Sequence, residues 1–95
     1  ETSPRNTLDI SAVPVIKSKS HLPIIVDPSH ASGVRAYISP LSRVAVAAGA
    51  DGLMIEVHPC PEKALSDGAQ SLDPGDFKKL TEELRPFISL MGRKF

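Results

Sequence analysis

Two short apolar runs stand out along the chain because their apolar residues do not alternate with polar ones. They are LPIIVD at residues 22–27 and DGLMIEVH at residues 51–58. Strands of this composition are typical of parallel sheets that are buried on both faces. We therefore predict two parallel β-strands over these two ranges.

The segment between the two runs has the spacing of an amphipathic helix. Ser39 is the predicted N-cap, Pro40 the first helical residue, and Gly49 the C-terminal stop. The predicted apolar stripe consists of Leu41, Val44, Ala45 and Ala48. The order strand, helix, strand follows.

Helical patterns also flank this unit, a short one over residues 9–21 and a longer one over residues 72–95. In the longer segment, Asp73 is the predicted cap and Pro74 lies in the first turn. Its apolar face is predicted to contain Phe77, Leu80, Leu84, Phe87, Ile88 and Met91. Pro86 should kink this helix or end its regular part, because an internal proline costs about 3 kcal/mol.

Alternating helices and strands with short connections predict βα units of an α/β fold with right-handed crossovers. Two strands cannot close a sheet, so residues 1–95 are expected to form a single partial domain. We interpret it as a segment of a (β/α)8 TIM barrel, which needs roughly 250 residues. A flavodoxin-like open sheet is the alternative. The start at Glu1 rather than Met fits a piece of a longer protein.

Charge and cysteine content exclude several classes of partner. The 11 basic and 11 acidic residues cancel, which leaves no basic surface for nucleic acid or an anionic membrane, so neither is an expected partner. One cysteine cannot form an internal disulfide, and no apolar span is long enough to cross a bilayer. A cytoplasmic location is expected.

Polar residues follow both predicted strands, DPSH at 27–30 and EVHP at 56–59. Because the carboxyl ends of neighbouring parallel strands meet at one edge about 4.8 Å apart, His30 and Glu56 can converge, and Asp67 can fold over the same edge. Two desolvated carboxylates favour a divalent cation, and one nitrogen with two oxygen ligands suits Mn, Fe, Co or Zn. The alternative is a capping Asp, a hydrogen-bonded His and a solvent-facing Glu.

Residues 5–30 (RNTLDISAVPVIKSKSHLPIIVDPSH) and 40–72 (PLSRVAVAAGADGLMIEVHPCPEKALSDGAQSL) resemble the C-terminal part of the 3-deoxy-D-arabino-heptulosonate 7-phosphate (DAHP) synthases, in their short subfamily. The resemblance implies the last two βα units of a TIM barrel. It also implies that His30, Glu56 and Asp67 are catalytic residues that ligate the metal. The fourth family ligand, a cysteine, and the principal phosphoenolpyruvate anchors belong to earlier strands, so the chain alone is expected to be inactive and to need the remainder of the barrel.

The resemblance implies roles for further residues as well. Ser29 and Arg35 lie on the loop that helps to bind erythrose 4-phosphate in the family. His58 is expected either to contact substrate or metal-bound water, or to bond to loop backbone. Asp27 is expected to orient His30 or to form a turn before the proline. Cys60 is expected to be a free loop thiol.

The implied reaction joins C3 of phosphoenolpyruvate to the aldehyde of erythrose 4-phosphate, with the metal as Lewis acid or as carrier of the water that adds to C2. Phosphate then leaves by C–O cleavage, in the first step of the shikimate pathway of aromatic amino acid biosynthesis. Such a synthase is expected to be a homo-oligomer. A 3-deoxy-D-manno-octulosonate 8-phosphate synthase is the alternative enzyme, and a non-catalytic fragment or binding module is the alternative of another class.

Overall fold

The computed structural model describes residues 9–32, 34–61 and 70–95. In chain order, its elements are α1 (Ala12–Lys19), β1 (Ile25–Val26), α2 (Pro28–Ser32), a 3-10 turn (Arg35–Tyr37), α3 (Ile38–Ala48), β2 (Gly52–Leu53) and α4 (Pro74–Leu90). The predicted order of helix, strand, helix, strand and helix is present, and the structure adds α2 and the 3-10 turn between β1 and α3, which the sequence did not predict.

The two strands form a parallel pair, as predicted, with Ile25 opposite Gly52 and Val26 opposite Leu53. They are much shorter than the apolar runs. The expectation that both faces are buried is wrong for this chain, since Val26 is 6% exposed but Ile25 is 56% exposed. Val26 packs with apolar residues of α1 and α3, whereas the described residues leave Ile25 largely uncovered.

Helix α3 lies between two apolar clusters and contributes to both. One cluster joins it to α4 and consists of Ile38, Val46, Leu72, Leu80 and Leu84. The other joins it to α1 and β1 and consists of Val13, Val26 and Ala45. The predicted stripe on α3 is only partly right, because Ala45 is fully buried but Val44 is 45% exposed.

The two ends of α3 differ in how well the sequence predicted them. The helix begins at Ile38, so the prediction of Ser39 as N-cap is wrong. The Ser39 hydroxyl instead donates to Glu83 Oε1 on α4 at 2.8 Å and accepts from the Arg43 guanidinium at 2.8 Å. The predicted stop at Gly49 is confirmed, since this residue has φ 106° and its N–H caps the last carbonyls.

Helix α4 begins as predicted, with Asp73 Oδ1 accepting the Asp76 N–H at 2.7 Å. The prediction that Pro86 ends its regular part is wrong, because the helix continues to Leu90. Of the predicted stripe, Leu80 and Leu84 are buried, Ile88 is half-buried, and the others are exposed, namely Phe77, Phe87 and Met91. Neither α4 nor any other helix in the described ranges is long and apolar enough to cross a membrane.

The amino end of β2 is fixed by Asp51, the residue before the strand. Its carboxylate accepts Lys17 Nζ at 2.8 Å and the Ile24 N–H at 2.8 Å, and Arg93 lies 3.0 Å away. The hydrogen bond from Lys17, followed by that from Ile24, lowers the pKa of Asp51 to about 2. Asp51 thus connects α1, the residue before β1 and the segment after α4. These contacts lie at the amino ends of the strands, whereas Glu56 lies beyond the carboxyl end of β2.

Candidate functional site

His30 is held at the carboxyl end of β1 by Asp27. The short helix α2 starts directly after the strand, and the Asp27 carboxylate accepts the His30 N–H at 3.0 Å and contacts His30 Nδ1 at 2.6 Å. A carboxylate can only accept, so Nδ1 carries a proton, and in the neutral imidazole Nε2 then carries the electron pair. This is the tautomer in which Nε2 can bind a metal.

Glu56 lies beyond the carboxyl end of β2, and its backbone is bonded on both sides. Its N–H donates to Ser29 Oγ at 3.0 Å, and its carbonyl accepts the Leu72 N–H at 2.9 Å. A second backbone bond, from the His58 N–H to the Leu72 carbonyl at 2.9 Å, completes a parallel bridge between Val57 and Leu72. The position of Glu56 is therefore set by the segments on either side of it.

The structure brings His30 and Glu56 together, as the sequence predicted. Their Nε2 and Oε1 atoms are 3.4 Å apart, and the side chains are 45% and 36% exposed. Two ligand atoms at about 2.0–2.2 Å from one first-row metal are about 2.8–3.6 Å apart, so this pair fits a shared ion. The third predicted ligand, Asp67, lies outside the described residues.

Beyond this pair, no group of three or more His, Cys, Asp or Glu side chains that could hold a metal is found among residues 9–32, 34–61 and 70–95. Asp27 does not count as a third ligand, because its carboxylate is bonded to the far ring nitrogen of His30. The described residues thus supply two candidate ligands and the carboxylate that orients one of them.

Ser29 and His58 are two of the predicted substrate contacts, and those roles stay predictions. Ser29 is fully buried among the described residues, and its hydroxyl accepts the Glu56 N–H. His58 Nδ1 accepts the Cys60 N–H at 2.9 Å, which is the backbone-bonded alternative, and this leaves the His58 ring proton on Nε2. Cys60 is an exposed free thiol, as expected.

Arg35 does not join the His30–Glu56 pair. It lines an open cavity of about 430 Å³ that contains side chains of α3 and α4 and neither His30 nor Glu56. Asp76, Lys79 and Glu83 line the same cavity, so that with Arg35 its two basic side chains are balanced by two acidic ones. The predicted phosphate contact of Arg35 stays a prediction.

The sequence did not reveal the part played by Leu72. This residue pairs with the backbone of Glu56 and His58 from well beyond β2, while its own side chain lies in the core with 7% exposure. In the sequence, Leu72 is an apolar residue directly before the Asp73 cap. Many helices begin in this way, so the pattern does not indicate pairing with Glu56.

Comparisons with known proteins identify the family of the chain. Residues 1–90 match the model of the DAHP synthetase I family. A phospho-2-dehydro-3-deoxyheptonate aldolase of Thermotoga maritima is 58% identical over 94 residues, which is 99% of this chain and 28% of that protein. A 2-dehydro-3-deoxyphosphooctonate aldolase of Desulfotalea psychrophila is 39% identical over 88 residues, or 81% of this chain and 31% of that protein.

A solved structure gives the same result. A truncated 3-deoxy-D-arabino-heptulosonate 7-phosphate synthase of Thermotoga maritima superposes with a TM-score of 0.95 at 58% identity, over 99% of this chain and 36% of that one. The α/β chain therefore corresponds to part of a TIM-barrel enzyme, which favours the barrel over the flavodoxin-like alternative. It spans about a third or less of the relatives that it matches. The chain belongs to the DAHP synthetase I family.

Proposed function

We propose that the full-length protein containing this chain condenses phosphoenolpyruvate with erythrose 4-phosphate to DAHP, the first step of the shikimate pathway. The observation that carries the proposal is the 3.4 Å approach of His30 Nε2 to Glu56 Oε1, with His30 fixed by Asp27. Its support from comparison is the 58% identity to a protein named phospho-2-dehydro-3-deoxyheptonate aldolase.

His30 and Glu56, together with Asp67, would hold a divalent metal ion. One imidazole nitrogen and two carboxylate oxygens suit Mn, Fe, Co or Zn better than Mg or Ca. When bound, the metal supplies Lewis-acid chemistry at the aldehyde oxygen. When the imidazole is neutral, the electron pairs of Nε2 and Oε1 face each other at 3.4 Å, and a cation between them removes their repulsion.

The described residues prepare this site in two ways. Asp27 keeps the His30 proton on Nδ1, so that Nε2 presents its electron pair toward Glu56. The bonds that Ser29 and Leu72 make to the Glu56 backbone hold that carboxylate at the strand edge. In the reaction, C3 of phosphoenolpyruvate bonds to the aldehyde carbon, water adds at C2, and phosphate leaves by C–O cleavage.

We assign the chain to the last two βα units of the barrel. In support, several large apolar side chains are exposed on the described residues, among them Leu22, Ile25, Val44 and Met54. Neighbouring strands and helices would cover them in a closed barrel. Because the remaining ligand and the phosphoenolpyruvate anchors would come from those other units, the chain by itself should be inactive. A cytoplasmic homo-oligomer remains our expectation.

The test is product analysis with the full-length protein after removal of metal by a chelator and after return of Mn²⁺, Fe²⁺, Co²⁺ or Zn²⁺. We expect DAHP from erythrose 4-phosphate only when metal is present, and loss of both metal and activity in His30→Ala. Full activity without metal would refute the metal site. Preferential use of arabinose 5-phosphate would instead establish the octulosonate synthase.

The isolated 95-residue chain provides a second comparison. Tight metal binding with turnover by this chain alone would contradict the assignment of essential groups to other barrel units. A full-length protein that binds metal but converts neither sugar phosphate would favour the non-catalytic alternative.

A further inference from the structure

The hydrogen-bonded ladder between the two strands ends before it reaches Glu56. Its last backbone bond runs from the Met54 N–H to the Val26 carbonyl at 2.8 Å. Two residues farther along, the Glu56 N–H donates to the Ser29 hydroxyl oxygen at 3.0 Å. A side-chain hydroxyl thus takes the place of the next backbone acceptor.

Ser29 is suited to this contact by its burial and by its place in the chain. It is fully buried, and it directly precedes His30 in α2. Its hydroxyl therefore connects the backbone of Glu56 to the same short helix that carries the imidazole. If this oxygen were removed, the Glu56 N–H would lose its acceptor, so the backbone at Glu56 would move or take up water.

The contacts on the other side of Glu56 are of a different kind. Its carbonyl accepts the Leu72 N–H, and the neighbouring His58 N–H donates to the Leu72 carbonyl, so both bonds are between backbone groups. Side-chain substitutions leave such bonds in place. The bond from the Glu56 N–H to the Ser29 hydroxyl depends on a side chain, so a substitution can remove it.

From this geometry we propose that Ser29 is a positioning residue whose buried hydroxyl fixes Glu56 opposite His30 and so sets the affinity of the metal site. The proposal rests on the proposed function, because it needs His30 and Glu56 to share an ion. The substrate contact that the sequence suggested for Ser29 stays a separate prediction.

The test measures binding of Mn²⁺ alone, without substrates, to the metal-free full-length protein by titration calorimetry. We expect Ser29→Ala to weaken Mn²⁺ binding by about 10- to 100-fold, the usual effect of removing a group that orients a metal ligand. The Co²⁺ absorption spectrum should change as well, because the geometry at Glu56 is altered. Ser29→Cys fills the same space with a weaker acceptor, so it should also weaken binding even if Ser29→Ala does not fold.

Ser42→Ala is the matched control. Ser42 is also a fully buried serine, but its hydroxyl donates to the Ile38 carbonyl within α3. We expect this variant to keep wild-type Mn²⁺ affinity and the wild-type Co²⁺ spectrum. Equal weakening by Ser42→Ala would show a general loss of stability and overturn the positioning role.

The remaining outcomes separate this inference from the proposed function. Wild-type Mn²⁺ affinity in both Ser29 variants, with a loss in His30→Ala, would overturn the positioning role alone. Failure of the wild-type protein to bind Mn²⁺ would overturn the shared metal site and the role of Ser29 together.

Discussion

Replacement of Asp27 by asparagine tests whether the state of His30 is set by this single carboxylate. In the structure, Asp27 accepts both the His30 N–H at 3.0 Å and the ring Nδ1–H at 2.6 Å. In Asp27→Asn, the amide oxygen can keep the backbone bond, but the amide NH₂ then faces the ring nitrogen. Two donors cannot pair, so the imidazole must rotate or move its proton to Nε2, the atom next to Glu56.

Either response works against metal binding. A proton on Nε2 removes the electron pair that the metal needs, and a rotated ring misplaces it. Substitution of groups that orient metal-bound histidines weakens binding by about 10- to 100-fold, and each factor of ten corresponds to about 1.4 kcal/mol. We therefore expect a loss of about 1.4–2.8 kcal/mol in Mn²⁺ binding to the full-length protein, measured by titration calorimetry.

Asp73→Asn is the matched control for this change. Asp73 also accepts a backbone N–H three residues later, at 2.7 Å, but this bond caps helix α4 and involves no histidine. Asparagine is as good an N-cap as aspartate, so this variant should keep both fold and metal affinity. Wild-type Mn²⁺ affinity in Asp27→Asn would refute the reasoning, because His30 would then be oriented by something other than this carboxylate.

The other predictions concern stability, measured by urea unfolding of the full-length protein. Folding lowers the pKa of Asp51 from 3.8 to about 2, so its contribution to the free energy of unfolding is complete above about pH 4 and is lost as the pH falls toward 2. Asp51→Asn should remove that part of the pH dependence. An unchanged pH profile would contradict the ion pairs. Leu84→Ala should cost about 2–5 kcal/mol, whereas Glu82→Ala, at an exposed polar residue of the same helix, should cost little; equal effects would place the core elsewhere. Gly49→Ala should lower the free energy of unfolding by about 1–2 kcal/mol, because this residue has φ 106°. Gly75→Ala, in the first turn of α4, should not lower it. A Gly49→Ala variant as stable as the wild type would exclude the left-handed cap.

The helix ends that the sequence predicted correctly depend on local chemistry. Gly49 ends α3 because a residue without a side chain adopts positive φ at no steric cost, and Asp73 starts α4 because its carboxylate reaches the N–H three residues on. Ser39 has the same local qualification as a cap but is used differently. Its hydroxyl bonds to Glu83 on another helix, a tertiary contact that no local pattern contains.

Pro86 shows a second limit of local rules. Its ring removes one backbone donor, and the general cost of about 3 kcal/mol predicted a kink or an end to the helix. The helix nevertheless continues to Leu90, with Leu84 buried and Pro86 exposed. The carbonyl that loses its partner therefore lies on the outer side, where water can satisfy it. The packing of the inner face outweighs the local penalty.

The approach of His30 to Glu56 was predictable because it follows from topology rather than from packing detail. Parallel strands place their carboxyl ends at one edge, so a polar residue after each strand must meet its counterpart there whatever the core looks like. The burial of a side chain cannot be predicted in this way from one segment of a fold. The apolar pattern marks positions that are covered in a complete α/β fold, and Ile25, at 56% exposure, shows that this chain alone does not cover them all. The bond from the Glu56 N–H to the Ser29 hydroxyl could not be predicted from the sequence alone. It becomes apparent only once the topology has placed the two strand ends side by side.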